Sequence, residues 1–408
     1  MRILALGGAG GMGRYACRVA AGWPEVTELV VADLAAGAAR DFAAELGPRA
    51  HGVGLDVRDA PALAAMLAEA DVVVNTVGPY FRFGVPILTA AIDAGCHYLD
   101  ICDDWEPTLD MLELTERARA AGVTAVVGMG ASPGVANLLA VQAAAALERP
   151  EEIVTGWSLE AAQPDEAGGA GGAAEVSAAL IHGVRQMTGT IRVVRDGRPV
   201  DERPLRRFTV DYPGVGPRPL WTFGHPEAVT LAGVIPGART SVNAMFAGGA
   251  FIGLVRALRW AVDRRVLTPE RAARVIALAE RRLPAPAPHT LLPPDGLPPL
   301  FALVTGSHEG RPVRAAATLL RAPGMTMGAL TGVPLAAALR LLVTGRLDRP
   351  GVSPPEAALD PAEFFAELAE HCPGAGPMTL LTTSWEPSAG ERYRTAIGAA
   401  RAALSASA

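Results

Sequence analysis

Residues 1–33 read MRILALGGAGGMGRYACRVAAGWPEVTELVVAD. The run Ile3–Leu6 reads as a short apolar strand. It ends in a glycine-rich turn, Gly7 to Gly13, in which Gly8, Gly10 and Gly13 satisfy GxGxxG. That spacing meets three physical demands: a tight turn, close backbone approach to a pyrophosphate, and tight packing of the next helix on the strand. A helix over Gly11–Ala21, closed by Gly22-Trp23-Pro24, would turn its first N–H groups and positive dipole end toward the anion. Asp33 lies twenty residues beyond Gly13, at the end of a second apolar strand, Leu29–Ala32. There a carboxylate can accept from adenosine ribose hydroxyls. A glycine turn that merely joins strand to helix is the competing reading, and the combined strand, turn, helix and acid weigh against it. The pattern assigns cofactor contacts to Gly8, Gly10, Gly11, Met12, Gly13 and Asp33. Asp33 would repel a 2′-phosphate, and no basic residue follows it until Arg40, so NAD is expected and NADP is the alternative. Arg14 is the nearby charge that argues for NADP.

Outward from this stretch the rhythm continues to about residue 130. Strands near Gly52–Leu55, Val72–Thr76, 97–101 and 123–127 alternate with helices over Pro61–Glu69, 84–94 and 105–121. Strands separated by helices of this length imply parallel βαβ units with right-handed crossovers. The expected fold is α/β: a Rossmann-type, doubly wound parallel sheet. Ligands in such sheets lie beyond the carboxyl ends of the strands. Asp56, after the third strand, is therefore placed to approach the adenine, or it is simply a surface acid. In Asn75-Thr76-Val77-Gly78-Pro79-Tyr80, Gly78 would permit close backbone approach and Val77 lines the turn, with Asn75 and Tyr80 pointing toward the nicotinamide side.

Four hundred and eight residues suit two domains better than one. Half are hydrophobic and 19% charged, enough to bury a sizeable core. The net charge of −6 argues against a nucleic-acid partner, which would call for a basic face. The chain has no lysine, so all 36 positive side chains are arginine. That excludes a Schiff-base lysine, a P-loop lysine and a lysine general acid. Cys17, Cys96, Cys102 and Cys372 form neither a CxxC pair nor a metal spacing, and reduced thiols are expected. No histidine pair has ligand spacing with a carboxylate, so no metal is expected. The N-terminal stretch lacks a secretory-signal pattern. Apolar runs such as Asn243 to Val255 fall short of the ~20 residues that cross a bilayer. A cytoplasmic protein with a small-molecule substrate and no membrane partner is expected, and the apolar C-terminal half is compatible with a homodimer.

From Pro133 the pattern changes to a second, mixed α/β (α+β) domain. A strand Ile153–Leu159 leads to the glycine-rich loop Ala167–Ala173, which reads as a lid or as disorder. A helix near Val176–Met187 and a hairpin turning at Asp196-Gly197 follow. Helices are expected near 250–263 and over Pro269–Arg282, then a proline-rich linker from Leu283 to Leu300. A second hairpin turns at His308-Glu309-Gly310-Arg311. Late helices (333–345, 361–371), a strand Thr379–Thr383 and an alanine-rich tail after Glu391 close the chain. The expected division is a cofactor domain over 1–130, a substrate domain over 131–325, and a segment over 326–408 that returns to the cofactor domain.

Several stretches together resemble the saccharopine dehydrogenase-like oxidoreductases, a family that includes the carboxynorspermidine-forming enzymes. They are LALGGAGGMGR, VVNTVGPYFRFG from Val73 to Gly84, AGCHYLDICDD from Ala94 to Asp104 and GMGASPGVANLLA from Gly128 to Ala140. FGHPEAVTL from Phe223 to Leu231 and TGVPLAAALRLLVTGRLDRPGVSPPEAALDP near the end extend the resemblance to about residue 372. The resemblance implies a Rossmann domain, an inserted substrate domain and late helices returning to the cofactor domain. It also implies hydride transfer to or from the C–N bond of an amino-acid-derived imine or secondary amine. Such chemistry needs no enzyme-bound imine, which the lysine-free composition accommodates. Two rival readings stay open: a reductase or dehydrogenase acting on C=C or C–OH bonds, and a non-catalytic NAD-binding protein.

Three side chains are candidates for moving the proton. His225, in the Gly/Pro-framed turn Phe223-Gly224-His225-Pro226-Glu227, can titrate near neutral pH and serve an amine. Asp103 stands where a strand enters a helix, with an N-cap as its competing role. His97 opens that strand and reads equally as a core histidine. An amino-acid substrate needs carboxylate anchors, and arginine offers a bidentate fork. Arg82, Arg185 and Arg239 are the candidates, each also readable as a surface arginine.

Overall fold

The structure is a computed structural model describing residues 1–158, 178–282, 291, 296–373 and 380–385. The chain opens with β1 (Arg2–Leu6), α1 (Gly11–Ala21), β2 (Glu28–Asp33), α2 (Ala36–Leu46), β3 (Ala50–Gly54) and α3 (Ala60–Ala68). β4 (Val72–Asn75), α4 (Tyr80–Asp93), β5 (His97–Asp100), α5 (Trp105–Leu112), α6 (Thr115–Ala120) and β6 (Thr124–Val126) follow. Next come α7 (Val135–Ala144), β7 (Arg149–Ser158), α8 (Ala178–Gln186), β8 (Ile191–Arg195), β9 (Arg198–Glu202), β10 (Arg207–Tyr212) and β11 (Gly216–Phe223). Then α9 (Glu227–Val234), β12 (Thr240–Phe246), α10 (Gly249–Asp263), α11 (Pro269–Arg282), β13 (Leu300–His308) and β14 (Arg311–Leu319). The described chain closes with α12 (Met327–Val343), β15 (Gly351–Ser353), α13 (Pro355–Ala358), α14 (Pro361–Ala369) and β16 (Leu380–Trp385).

Two compact units divide it. The first comprises Met1–Val135 and Pro323–His371, and the second holds the other described residues from Ala136 to Ala322 and from Cys372 on. The first unit carries a parallel sheet in the order β15-β6-β5-β4-β1-β2-β3. The chain lays down β1 to β3 in one direction and then returns to place β4 on the other side of β1. The order reverses between β1 and β4, the switch point beyond which such sheets take their ligands. β1, β2 and β4 are almost wholly buried, which explains their unbroken Val/Leu/Ile runs. Late in the chain α12 packs along α1, so closely that a Cβ at Gly332 would meet the Met12 carbonyl at 2.2 Å. The doubly wound sheet and the returning helices are as the sequence implies.

The single helix expected over 105–121 is broken into α5 and α6. No glycine or proline marks the break. Instead the Thr115 hydroxyl donates to the carbonyls of Leu112 and of Val352 in β15, tying a tertiary neighbour to the bend.

In the second unit a nine-stranded mixed sheet runs β10-β11-β12-β7-β13-β14-β16, with β8 on β12 and β9 on β8. β7 and β12 are parallel, while the other pairs are antiparallel. Side chains of α8, α10 and α11 share one core with Phe223 and Met245; Ala228 of α9 shares another with Tyr212, Val242 and Phe301. Both hairpin turns form where expected, with Asp196-Gly197 and Glu309-Gly310 at positive φ. The strand expected at Thr379–Thr383 is β16, paired with β14. The segment 326–408 is thus divided: α12 to α14 and β15 join the first unit, β16 the second. The glycine-rich loop 167–173, two-thirds of the proline-rich stretch from Leu283 to Leu300, and the tail after Glu391 lie outside the described residues.

Candidate active site

In the first unit the turn after β1 has a shape that only glycine permits. Gly7 adopts φ +70°, and a Cβ on Gly13 would lie 2.5 Å from the Gly7 carbonyl oxygen and 2.8 Å from the Gly8 Cα. Gly8 and Gly10 are nearly as confined, at 2.9 Å from the Ala5 carbonyl and 3.1 Å from the Gly7 carbonyl. The helix N-cap is Gly10, which makes no side-chain cap, whereas α3, α12 and α14 are capped by Asp59, Thr326 and Asp360. The first-turn N–H groups of α1, at Gly11, Met12 and Gly13, are therefore left for an anion, and this cradle fits a dinucleotide pyrophosphate.

At the adenosine side, Asp33 ends β2 with its Oδ1 accepting from the Ala35 N–H at 3.1 Å. Arg14 donates from Nε to the Ala9 carbonyl and lies 4.2 Å from the centroid of the Phe42 ring. Asp56 follows β3, and Arg58 engages its carboxylate at 2.6 Å. That bond holds the Asp56 carboxyl down at about 2.

The turn after β4 differs from expectation in one respect. Asn75 and Tyr80 do not present their side chains outward: both are buried and hydrogen-bonded within the unit. Asn75 Oδ1 accepts from the Val77 N–H at 3.0 Å, and its Nδ2 donates to Tyr98 Oη at 2.9 Å. Tyr80 donates to the Asn75 carbonyl at 2.8 Å. Tyr98 donates to Asp100 Oδ2 at 2.7 Å, and Asp100 Oδ1 accepts from the N–H groups of Cys102 and Gly128 at 3.0 and 2.7 Å. Burial pushes the Asp100 carboxyl up to about 6. The strand alternation that groups Tyr98 with Asp100 was the available signal for this cluster, but it reads as core packing until the facing strands are known. Thr76 and Val77 remain in the turn as partly buried residues beside the glycine loop, with Thr76 Oγ1 2.8 Å from a Cβ built on Gly7.

His97 sits at the amino end of β5, opposite Val72, on the edge away from the glycine loop. Its Nδ1 accepts from the Thr124 N–H at 3.0 Å, and burial lowers its pKa. The core reading of His97 is the one the geometry supports. Asp103 is half-buried just beyond β5, and the N-cap of α5 is its neighbour Asp104, which makes no side-chain cap. Arg82 is exposed on α4, its guanidinium 5.1 Å from the Phe83 ring centroid. The four cysteines are buried thiols; burial raises Cys17 and Cys96 to about 12 and Cys372 to about 11, and Cys102 well above its usual value. They are poor nucleophiles.

The second unit builds a different polar cluster. His225 follows β11 and is buried, stacked on the Trp157 indole at 5.3 Å and 4° and edge-on to Phe223 at 5.0 Å. Its Nδ1 lies 3.8 Å from Oε2 of Glu227, whose exposure is 0%. Asn243 Nδ2 donates to Glu227 Oε1 at 3.2 Å and to Thr155 at 2.9 Å, while the Trp157 indole N–H donates to Asn243 Oδ1 at 3.1 Å. The register of β12 on β7 sets Asn243 opposite Thr155, and that of β11 on β12 sets Phe223 opposite Asn243. A buried carboxylate needs a cation or several donors; here the Asn243 amide donates to it and the His225 imidazole lies 3.8 Å away. Glu227, Asn243 and Trp157 were not singled out from sequence; Glu227 stood two residues from His225, but only the fold turns it inward. Arg185, at the end of α8, is exposed, and Arg239 is exposed beside Asp196 at 3.7 Å. Neither is gathered into this cluster by any described contact. His182, on α8, is buried.

Residues 3–126 match the family model of the saccharopine dehydrogenase NADP-binding domain. A carboxyaminopropylagmatine dehydrogenase from Synechocystis sp. is 24% identical over 384 residues, covering 89% of this chain and 94% of that protein. The solved apo saccharopine dehydrogenase (L-Glu forming) of Saccharomyces cerevisiae aligns over 94% of this chain and all of its own, with a TM-score of 0.62 at 16% identity. Residues 3–126 form a saccharopine dehydrogenase-type NADP-binding domain, and the chain is an NAD(P)-dependent oxidoreductase similar to the saccharopine dehydrogenase-like enzymes. A trans-acting enoyl reductase of Mycobacterium leprae is 35% identical over 95 residues, but the match spans 23% of that protein. Among the described residues, no helix is long and apolar enough to cross a membrane.

Proposed function

We propose that this saccharopine dehydrogenase-like oxidoreductase acts on the C–N bond of an amino-acid-derived secondary amine or its imine, with NAD(H) as cofactor. The observation that carries this reading is the similarity, across 89% of this chain, to a dehydrogenase of carboxyaminopropylagmatine. The bound nicotinamide would supply or accept the hydride. Gly8, Gly10, Gly11, Met12 and Gly13 would hold the pyrophosphate by backbone N–H groups, and Asp33 the adenosine ribose. Val77 and Gly78 would give the cofactor a close backbone surface.

His225 is assigned the proton. In the oxidative direction its neutral imidazole takes the proton of the secondary ammonium, freeing the nitrogen lone pair as hydride leaves the adjacent carbon. In the reductive direction the imidazolium returns that proton. Glu227, buried beside it, stabilises the imidazolium, and the flat stack on Trp157 fixes the ring plane. Asp103 is proposed as a polar contact at the carboxyl end of β5. Arg82, Arg185 and Arg239 remain the candidate anchors for a substrate carboxylate. NAD over NADP rests on Asp33, since a carboxylate there repels a 2′-phosphate. A cytoplasmic location and a homodimer are kept as part of the proposal.

One observation favours a second reading: the match to a trans-acting enoyl reductase supports C=C reduction. The test is NADH consumption by purified protein, screened against amine and oxo-acid pairs and, separately, against enoyl thioesters. Turnover with an amine and oxo-acid pair upholds the first reading; turnover confined to enoyl substrates replaces it.

A further inference from the structure

The hydrogen-bond chain beneath the turn after β4 has a fixed direction. At one end the Val77 N–H requires an oxygen, so Asn75 must turn Oδ1 toward it and Nδ2 toward Tyr98. At the other end the N–H groups of Cys102 and Gly128 both require an oxygen, which Asp100 Oδ1 supplies. Tyr98 stands between, accepting from Asn75 and donating to Asp100 Oδ2. Backbone donors cannot be reversed, so the two ends dictate every proton along the chain. Three turns are thereby tied together, those after β4, β5 and β6, all at the carboxyl edge of the sheet, with the turn after β4 beside the glycine loop. Tyr80 fastens the same turn from above, donating to the Asn75 carbonyl while its oxygen accepts from the Ile101 N–H at 3.4 Å.

We propose that the Asn75–Tyr98–Asp100 relay is a positioning device for the nicotinamide half of the cofactor: it sets the backbone of Val77 and Gly78, and it works only with one amide and one carboxylate at its two ends. The proposal rests on the reading that the first unit binds a dinucleotide. None of the three side chains need touch the cofactor. Their effect passes through the Val77 N–H, whose place is fixed by Asn75.

The directionality makes an unusual test available. In Asp100→Asn, the new side-chain oxygen must still face Cys102 and Gly128, so the new amide nitrogen faces Tyr98. Tyr98 then receives two donors and its own proton has no acceptor. If Asn75 flips to relieve this, its amide group meets the Val77 N–H, donor against donor. Adding Asn75→Asp repairs the chain with its direction reversed. The carboxylate introduced at position 75 accepts from the Val77 N–H and from Tyr98, and Tyr98 accepts from the amide introduced at position 100. Shape and net charge match the wild type.

The experiment measures the affinities of full-length wild type, D100N, N75D and N75D/D100N for NADH and for ADP-ribose, which lacks the nicotinamide. D100N should weaken NADH binding by about tenfold and leave ADP-ribose binding within about twofold, as expected for a broken buried network, and N75D/D100N should recover the wild-type NADH affinity. Unchanged NADH binding in D100N overturns the proposal. So does equal weakening of both ligands, which would mark general destabilisation, and so does a double variant no better than D100N. If D100N does not fold, the double variant decides alone: folded with the wild-type ratio of the two affinities, it upholds the relay, and unfolded or with an altered ratio, it overturns it. A wild-type chain that binds neither ligand removes the dinucleotide reading itself, and the relay's role with it; wild-type binding with an unaltered D100N removes only the relay.

Discussion

Asp100 in the first unit and Glu227 in the second are buried carboxylates at the heart of a polar cluster, and the two are surrounded differently. Asp100 is held by a tyrosine and two backbone N–H groups, and no cation is among its hydrogen-bond partners. Glu227 is held by an asparagine, with a histidine 3.8 Å away. Backbone donors have no second protonation state, so those at the two ends of the first cluster can fix a geometry. An imidazole has two, so the second cluster can pass a proton while its carboxylate steadies the charge. Burial raises the cost of disorder in both. What separates a scaffold from a proton-handling pair is the chemistry at the rim.

Changing those rims should remove the contrast. The largest effect is expected at His225. His225→Asn should lower kcat by about 10²–10⁴, the usual worth of a general acid–base group, with NADH affinity unchanged by fluorescence titration. Unchanged turnover would give the second cluster a purely structural role and erase the difference.

The Asp100 carboxyl probes the same difference through pH. Its folded-state pKa of about 6 stands above the ordinary 3.8, so the folded protein holds that proton more tightly than the unfolded chain. The stability it contributes is fully present below the unfolded value and is lost as pH rises through the folded one. Tyr98, Tyr80, Cys102 and Asp103 are the titratable groups around it. Denaturant titrations of wild type and Asp100→Asn at pH 3.5 and pH 7 should show the wild type losing stability relative to the variant by roughly 2–3 kcal/mol across that window. A constant difference would mean that Asp100 is ionised throughout, its three donors outweighing burial.

A smaller change is expected at the glycine loop. Gly13→Ala places a methyl 2.5 Å from the Gly7 carbonyl, and forcing it in should weaken NADH and ADP-ribose binding together, by about 1–3 kcal/mol. Loss of NADH binding alone would instead locate the damage at the nicotinamide half and blur the loop with the relay. The least effect is expected at Asp33, where the side chain is only partly buried. Asp33→Ala should narrow the preference for NADH over NADPH by about tenfold, the worth of one charge-assisted hydrogen bond. A preference for NADPH in the wild type would overturn the use made of Asp33.

Much of the first unit was legible in the sequence because its signals are local. Helix Gly11–Ala21 falls on the residues its glycine turn and Gly-Trp-Pro break announce, and the parallel strands declare themselves as apolar runs. The break between α5 and α6 was not legible, because Thr115 bends the chain toward Val352, far along the sequence. Asn75 and Tyr80 lie in the turn after β4 as the sequence implies, but their side chains turn inward, since only the neighbouring strand shows that Asn75 meets Tyr98 and that Tyr80 accepts from the Ile101 N–H.

Local pattern was enough for the doubly wound sheet, the glycine cradle, the acid at the end of β2 and the family these resemble. These follow from periodicity, backbone sterics and short spacings, all of which act over a few residues. Which polar side chains are buried together was set by the packed fold and by nothing short of it. Asn75, Tyr98 and Asp100 meet because β4 and β5 lie side by side in parallel register, and His225, Glu227, Asn243 and Trp157 meet because β7, β11 and β12 are neighbours in the second sheet. A hydrogen bond between residues far apart in the chain depends on strand order and register, and no local propensity encodes either.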